Sequence, residues 1–145
     1  MMKKMKIKFK KLDRRAVLPA YAHEGDSGMD IRCVDKVIIC PRETIKVSTG
    51  LCAEIPHGYE IQVRPRSGIS NDGVFAVFGT VDEGYRGEIG VILYNSNIHS
   101  VVFEALSRIA QLVLAPVVRA EIEETKDELS PTERGEGGFG STGVV

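Results

Sequence analysis

Along the first residues apolar and polar positions alternate, with Met5, Ile7 and Phe9 interleaved among Lys4, Lys6, Lys8 and Lys10. A period of two belongs to a strand with one face on a core and the other in water. The stretch therefore predicts a half-buried β-strand, not a basic tail for nucleic acid or membrane. Short segments rich in valine, isoleucine and aromatic residues follow: DIRCV, KVIIC, TIKVSTGLCAEI, YEIQVR, VFAVFGTV, GEIGVILYN, VVFEAL and QLVLAPVVRAEI. Turn chemistry separates them, at Pro41, at Pro56 ahead of His57-Gly58-Tyr59, at Asn71-Asp72-Gly73 and at Asn95-Ser96-Asn97. This spacing predicts an all-β sandwich or barrel, in which only SGISND has room for a helical turn.

The pattern ends before the chain does. Residues 121–136, EIEETKDELSPTERGE, are charged and poor in apolar side chains, and read as an exposed arm. Residues 134–145, RGEGGFGSTGVV, contain five glycines. Glycine loses the most backbone freedom on ordering, so such a tail stays mobile unless something holds it. Phe139 stands between Gly138 and Gly140, with Arg134, Ser141 and Thr142 nearby. A ring, a fixed positive charge and bare backbone amides suit a phosphorylated ring compound.

At 145 residues the chain predicts a single domain spanning 1–145. Lys and Arg total 19 against 20 for Asp and Glu, a formal charge of -1 that gives no sign of the broad positive field of a nucleic-acid binder, so any anion site is local. The longest apolar run, LVLAPVV from Leu112, is far too short to cross a bilayer. Cys33, Cys40 and Cys52 are odd in number and lack metal-ligand spacing, as expected of reduced core thiols in a cytoplasmic protein. His23, His57 and His99 are scattered and belong to no HExxH or nucleophile-elbow pattern.

Four further stretches carry more polar and glycine content than strands require. GDSGMD (25–30) is the first. RPRSGIS (64–70) sets two arginines about a proline, then a hydroxyl and a glycine, which reads as an anion nest more than a hairpin turn, and equally as a strand end with solvated arginines. GTVDEGYRGEI (79–89) places Asp82 three residues before Tyr85, with Gly84 and Gly87 suited to a tight hairpin. An acid and a ring together can position water and a sugar. RIAQLV begins a strand with Arg108 and Gln111 among apolar residues.

In order and wording, SGMDI, RPRSG, GTVDEGYRGEI, RIAQL and RGEGGFGSTG resemble the five motifs of the trimeric deoxyuridine triphosphate pyrophosphatases, the dUTPases. The likeness spans nearly the whole chain from Leu18. It implies a jelly-roll-like β-barrel assembled as a homotrimer with shared active sites, and a tail that closes over a neighbour's site. It also implies hydrolysis of dUTP to dUMP and diphosphate, which limits uracil in DNA and supplies dUMP for thymidylate synthesis. Asp82 would activate a water for attack on the α-phosphorus. Mg²⁺ would ride on the triphosphate, with Asp30 touching it only through water. Carried over by resemblance, Arg66, Ser67 and the Gly68 amide would hold phosphates and Gln111 would add a contact. Tyr85 would lie beneath the deoxyribose and exclude a 2′-hydroxyl. Backbone from Thr80 and Val81 to Gly90 would read uracil. Phe139 would stack on the base, Arg134 would meet the γ-phosphate, and Ser141 would add a phosphate contact.

Ala76 departs from the pattern, standing where many bacterial members carry asparagine. An alanine cannot donate to the base, so backbone amides take that role or the pocket is arranged differently. Two other readings compete. The dCTP deaminases share the fold and the closing tail but carry an RSSLAR-like second motif, so RPRSGIS points to hydrolysis. A non-catalytic nucleotide- or protein-binding barrel would have little use for Asp82, Tyr85 and Phe139 together.

Overall fold

The alternation becomes eleven short strands and one five-residue helix among the described residues of the computed structural model. It describes residues 4–143; Lys3 of the lysine-rich start and Val144 and Val145 of the tail lie outside the described residues. The strands are β1 (Lys8–Lys11), β2 (Met29–Arg32), β3 (Val37–Ile39), β4 (Thr44–Ser48), β5 (Leu51–Glu54) and β6 (Tyr59–Arg64). After the helix α1 (Ser67–Asn71) come β7 (Val74–Ala76), β8 (Gly79–Val81), β9 (Gly90–Asn95), β10 (Val101–Phe103) and β11 (Arg108–Pro116). Every ladder is antiparallel: β2-β11-β6-β8, β4-β9-β7, and the pairs β1-β5 and β10-β3. The fold is all-β, as the pattern predicted, and jelly-roll-like, as the resemblance implied. Among the described residues no helix is long and apolar enough to cross a membrane.

Register assigns each face of the largest sheet a different task. Met29, Leu112 and Val63 are partners in one row across β2, β11 and β6, and all three are buried. With Ile31, Ile61, Val91 and Leu93 they belong to one apolar core. Full burial of a side chain of this size contributes about 1.5–3 kcal/mol. The adjacent row, Asp30, Gln111 and Arg64, points the other way. Arg108 and Gln111, three apart, would lie on opposite faces of a regular strand. A register irregularity between Arg108 and Ala110 lets Ile109 and Ala110 both turn inward, so both polar groups face outward.

Several expectations change in the structure. TIKVSTGLCAEI divides into β4 and β5 at Thr49-Gly50, where Gly50 adopts φ 66°. VFAVFGTV divides into β7 and β8, which belong to different sheets. QLVLAPVVRAEI stops being a strand after Pro116. Asn95, expected in a turn, ends β9 fully buried, and its amide reaches the carbonyls of Ile39, Cys40 and His99. A buried amide requires such partners, and its cluster holds the β3 end against the β9–β10 loop. Of the expected core thiols only Cys33 is buried; Cys40 is exposed and Cys52 half-buried. Cys40 follows the end of β3 ahead of a turn, and Cys52 lies within β5 opposite Lys10, on the less buried face of that strand. Burial pushes the Cys33 thiol up.

Candidate active site

Some of the residues singled out in the sequence line two separate cavities. The first, about 310 Å³, is lined by Ser27, Gly28, Asp30, Arg66, Ser67, Gly68 and Gln111, among others. It forms because Asp30 and Gln111 are register partners on the outward face, while the chain leaving β6 turns at Pro65 into α1. Arg66 precedes the helix in extended conformation (φ -97°, ψ 133°). Its Nε lies 2.9 Å from one carboxylate oxygen of Asp30, and Arg108 Nε lies 3.6 Å from the other.

Gln111 fastens two motifs together. Its Nε2 donates to the Pro65 carbonyl at 2.8 Å. Its amide oxygen lies only 2.1 Å from where a Cβ on residue 28 would stand, so this close approach requires Gly28. GDSGMD, RPRSGIS and RIAQLV thus meet in one polar recess.

Asp82 is elsewhere. It is exposed at the end of β8 and lines a second cavity of about 440 Å³ with His57, Tyr59, Glu83 and Arg119. Its main-chain carbonyl accepts the Tyr85 N–H at 3.0 Å. Glu83, which the sequence reading passed over, fastens this turn to the β5–β6 connection. It accepts the Gly58 N–H at 2.6 Å and lies 2.9 Å from His57 Nδ1. The Gly58 amide first, and then His57, hold the Glu83 carboxyl below its ordinary range. Nothing in the pattern marks Glu83, because its partners lie 25 and 26 residues away.

The expected tight hairpin between Thr80 and Gly90 is corrected by the topology. β8 pairs with β6 and β9 with β4 and β7, so residues 82–89 connect two sheets. Ile89 N–H goes to the Leu51 carbonyl, which draws the far end of the loop toward β5. Thr80 is exposed, Val81 is buried and Gly90 half-buried. Tyr85 is 46% exposed, and its hydroxyl donates to the Glu88 carbonyl at 2.9 Å. Ala76 is buried, paired with Leu93, and presents no polar side-chain group.

The tail meets neither cavity. Arg134 Nε donates to the Gly137 carbonyl at 2.8 Å, and Ser141 N–H to the Gly138 carbonyl at 3.1 Å. Phe139, at φ 47°, is fully exposed, and Arg134 and Ser141 are exposed.

Residues 14–143 match the family model described as dUTPase. Curated relatives named deoxyuridine 5'-triphosphate nucleotidohydrolase include one from Gloeothece citriformis, 50% identical over 97% of this chain and 99% of the relative. Another, from Hydrogenobaculum sp., is 51% identical over the same shares. Among solved structures, the Staphylococcus bacteriophage 80alpha dUTPase with dUPNHPP superimposes with a TM-score of 0.90. That likeness covers 96% of this chain and 99% of the phage chain at 29% identity.

Proposed function

The chain belongs to the dUTPase family and is a dUTP nucleotidohydrolase, and from that premise we propose that Asp82 is its general base. A water held by the Asp82 carboxylate attacks the α-phosphorus and gives its proton to that carboxylate. The bond from α-phosphorus to the bridging oxygen breaks, and diphosphate leaves dUMP behind. Phosphoryl chemistry of this kind rests on positioning and charge neutralisation, which arginines and one base can supply.

The observation that carries the reading is the recess that Arg66, Ser67, Gly68 and Gln111 line together with Asp30. Arg66 supplies a fixed cation and Ser67 a hydroxyl. The first amides of α1 have no acceptor within the helix, which suits phosphate oxygens. Tyr85 bears on the sugar, main chain at Thr80, Val81 and Gly90 on uracil, and Phe139, Arg134 and Ser141 on base and phosphates once the tail closes. The product dUMP feeds thymidylate synthesis, and removal of dUTP limits uracil in DNA.

Both Asp30 oxygens face guanidinium groups, so the residue fits a hydrated cation reached through water better than direct ligation. Mg²⁺, when bound on the triphosphate, supplies positive charge that neutralises phosphate oxygens.

The division of Asp82 and Arg66 between cavities that share no lining residue supports a homotrimer in which neighbouring subunits complete each site. Phe75, Val77 and Phe78 leave 41%, 46% and 57% of their surfaces exposed, and Ile122 and Leu129 of the arm are nearly bare. A neighbour would cover such apolar surface.

A substrate panel tests the activity. With Mg²⁺, dUTP should yield dUMP and diphosphate efficiently, dTTP and UTP should react poorly, and dCTP should release no ammonia. Ammonia from dCTP would favour the deaminase chemistry, and equal turnover of dUTP and dTTP would refute the selectivity.

A further inference from the structure

Gly87 has no backbone reason to be glycine, since its φ lies outside the left-handed region that disfavours side chains. The reason lies in its neighbour. A Cβ on residue 87 would stand 2.4 Å from Tyr85 Oη, 2.5 Å from Cζ and 2.9 Å from Cε2, all well inside contact distance. The hydroxyl end of the ring occupies the place where that side chain would be. Its hydroxyl is fastened beyond Gly87, on the Glu88 carbonyl at 2.9 Å, and its own N–H is fastened behind, on the Asp82 carbonyl at 3.0 Å. The hydroxyl bond fixes the far end of the ring beside the bare backbone of Gly87, the amide bond fixes the main chain that carries it, and 46% of the residue stays exposed.

We infer that Gly87 is a positioning residue for sugar selection: its missing side chain is the seat that sets the Tyr85 ring at the height where deoxyribose fits and ribose does not. The inference rests on the reading of Tyr85 given above and extends it from the ring to what holds the ring. The atoms a new Cβ would meet are the far end of a side chain, so the fold can yield there by moving the ring. Displacement breaks the Glu88 bond and removes the surface that the sugar rests on. dUTP loses a fitted contact that UTP never had, so discrimination narrows. Gly84, three residues earlier in the same loop, offers a comparison. Its φ is also outside the left-handed region, and a Cβ there would meet nothing within 4 Å.

The test compares kcat/KM for dUTP and for UTP in the wild type, Gly87→Ala, Gly84→Ala, Tyr85→Ala and the double variant Tyr85→Ala with Gly87→Ala. Steric discrimination of this size predicts a fall of about tenfold or more in the dUTP/UTP ratio for Gly87→Ala. Gly84→Ala should keep the wild-type ratio. In the double variant Gly87→Ala should add nothing to Tyr85→Ala, because the two residues act as one unit. If Tyr85→Ala lowers the ratio and Gly87→Ala does not, or if their effects simply add, the inference is overturned while the reading of Tyr85 stands. If Tyr85→Ala itself leaves the ratio unchanged, that reading falls and takes the inference with it. Thermal melting covers the case in which Gly87→Ala fails to fold. Removing the ring should rescue it in the double variant, and failure of that rescue would assign the glycine to the backbone and contradict the inference.

Discussion

Arg66 Nε lies 2.9 Å from a carboxylate oxygen of Asp30, joining the residue that precedes α1 to the outward face of β2. Asp30 keeps 18% of its side chain exposed and Arg66 31%, so the pair is sheltered yet open to a ligand. Asp30→Asn should release Arg66 and lower kcat/KM for dUTP by about tenfold or more, with a loss of about 1–3 kcal/mol in stability from the weakened charged contact. Steady-state kinetics and urea unfolding check the two numbers separately.

Gly28 and Gln111 make a second pair. Gly28→Ala places a Cβ 2.1 Å from the Gln111 amide oxygen and must push that amide off the Pro65 carbonyl. KM for dUTP should rise by about tenfold, with a smaller change in kcat, as for lost ground-state binding. An unchanged KM would remove Gln111 from the recess.

Little of this pairing could be read in advance, and the reason is physical. Motif wording and turn residues carry local information, so the strands, α1 and the polar stretches were legible. Which strands pair is decided by contacts far apart in the chain. The bulge that turns Arg108 and Gln111 to one face, the burial of Asn95 and the split of VFAVFGTV between two sheets have no local signal. Cys40 and Cys52 missed the core for the same reason.

Glu83 gives a pH dependence. Its carboxyl is held below the ordinary value of 4.5 by the Gly58 amide and then by His57. A lowered folded-state pKa contributes stability that is present above the unfolded value and is lost as pH falls through the folded one. Thermal melts between about pH 6 and pH 3 should therefore fall less steeply in Glu83→Gln than in the wild type. Parallel curves would show that Glu83 contributes nothing to acid stability.

The tail is separable from the barrel. Deleting residues 135–145 should leave the melting temperature nearly unchanged, because the hydrogen bonds of the described tail residues run among themselves and to Thr132. Turnover should nonetheless fall strongly, since ordering about 1–2 kcal/mol worth of backbone entropy per residue is justified only by new contacts to nucleotide. Phe139→Ala should reproduce part of that loss. A truncated protein as active as the full chain would make the tail a frayed end.

Asp82 and Arg66 line different cavities of one chain, and on this account each site draws them from different subunits. Asp82→Asn and Arg66→Ala should each lower turnover by about 10²-fold or more when purified alone. Co-assembly of the two variants in equal amounts is the direct measurement. A mixed trimer pairs an intact Asp82 from one subunit with an intact Arg66 from its neighbour, and random assortment predicts recovery of about a quarter of wild-type activity. A mixture as inactive as its parents, in assemblies proven to be mixed, would contradict the shared site.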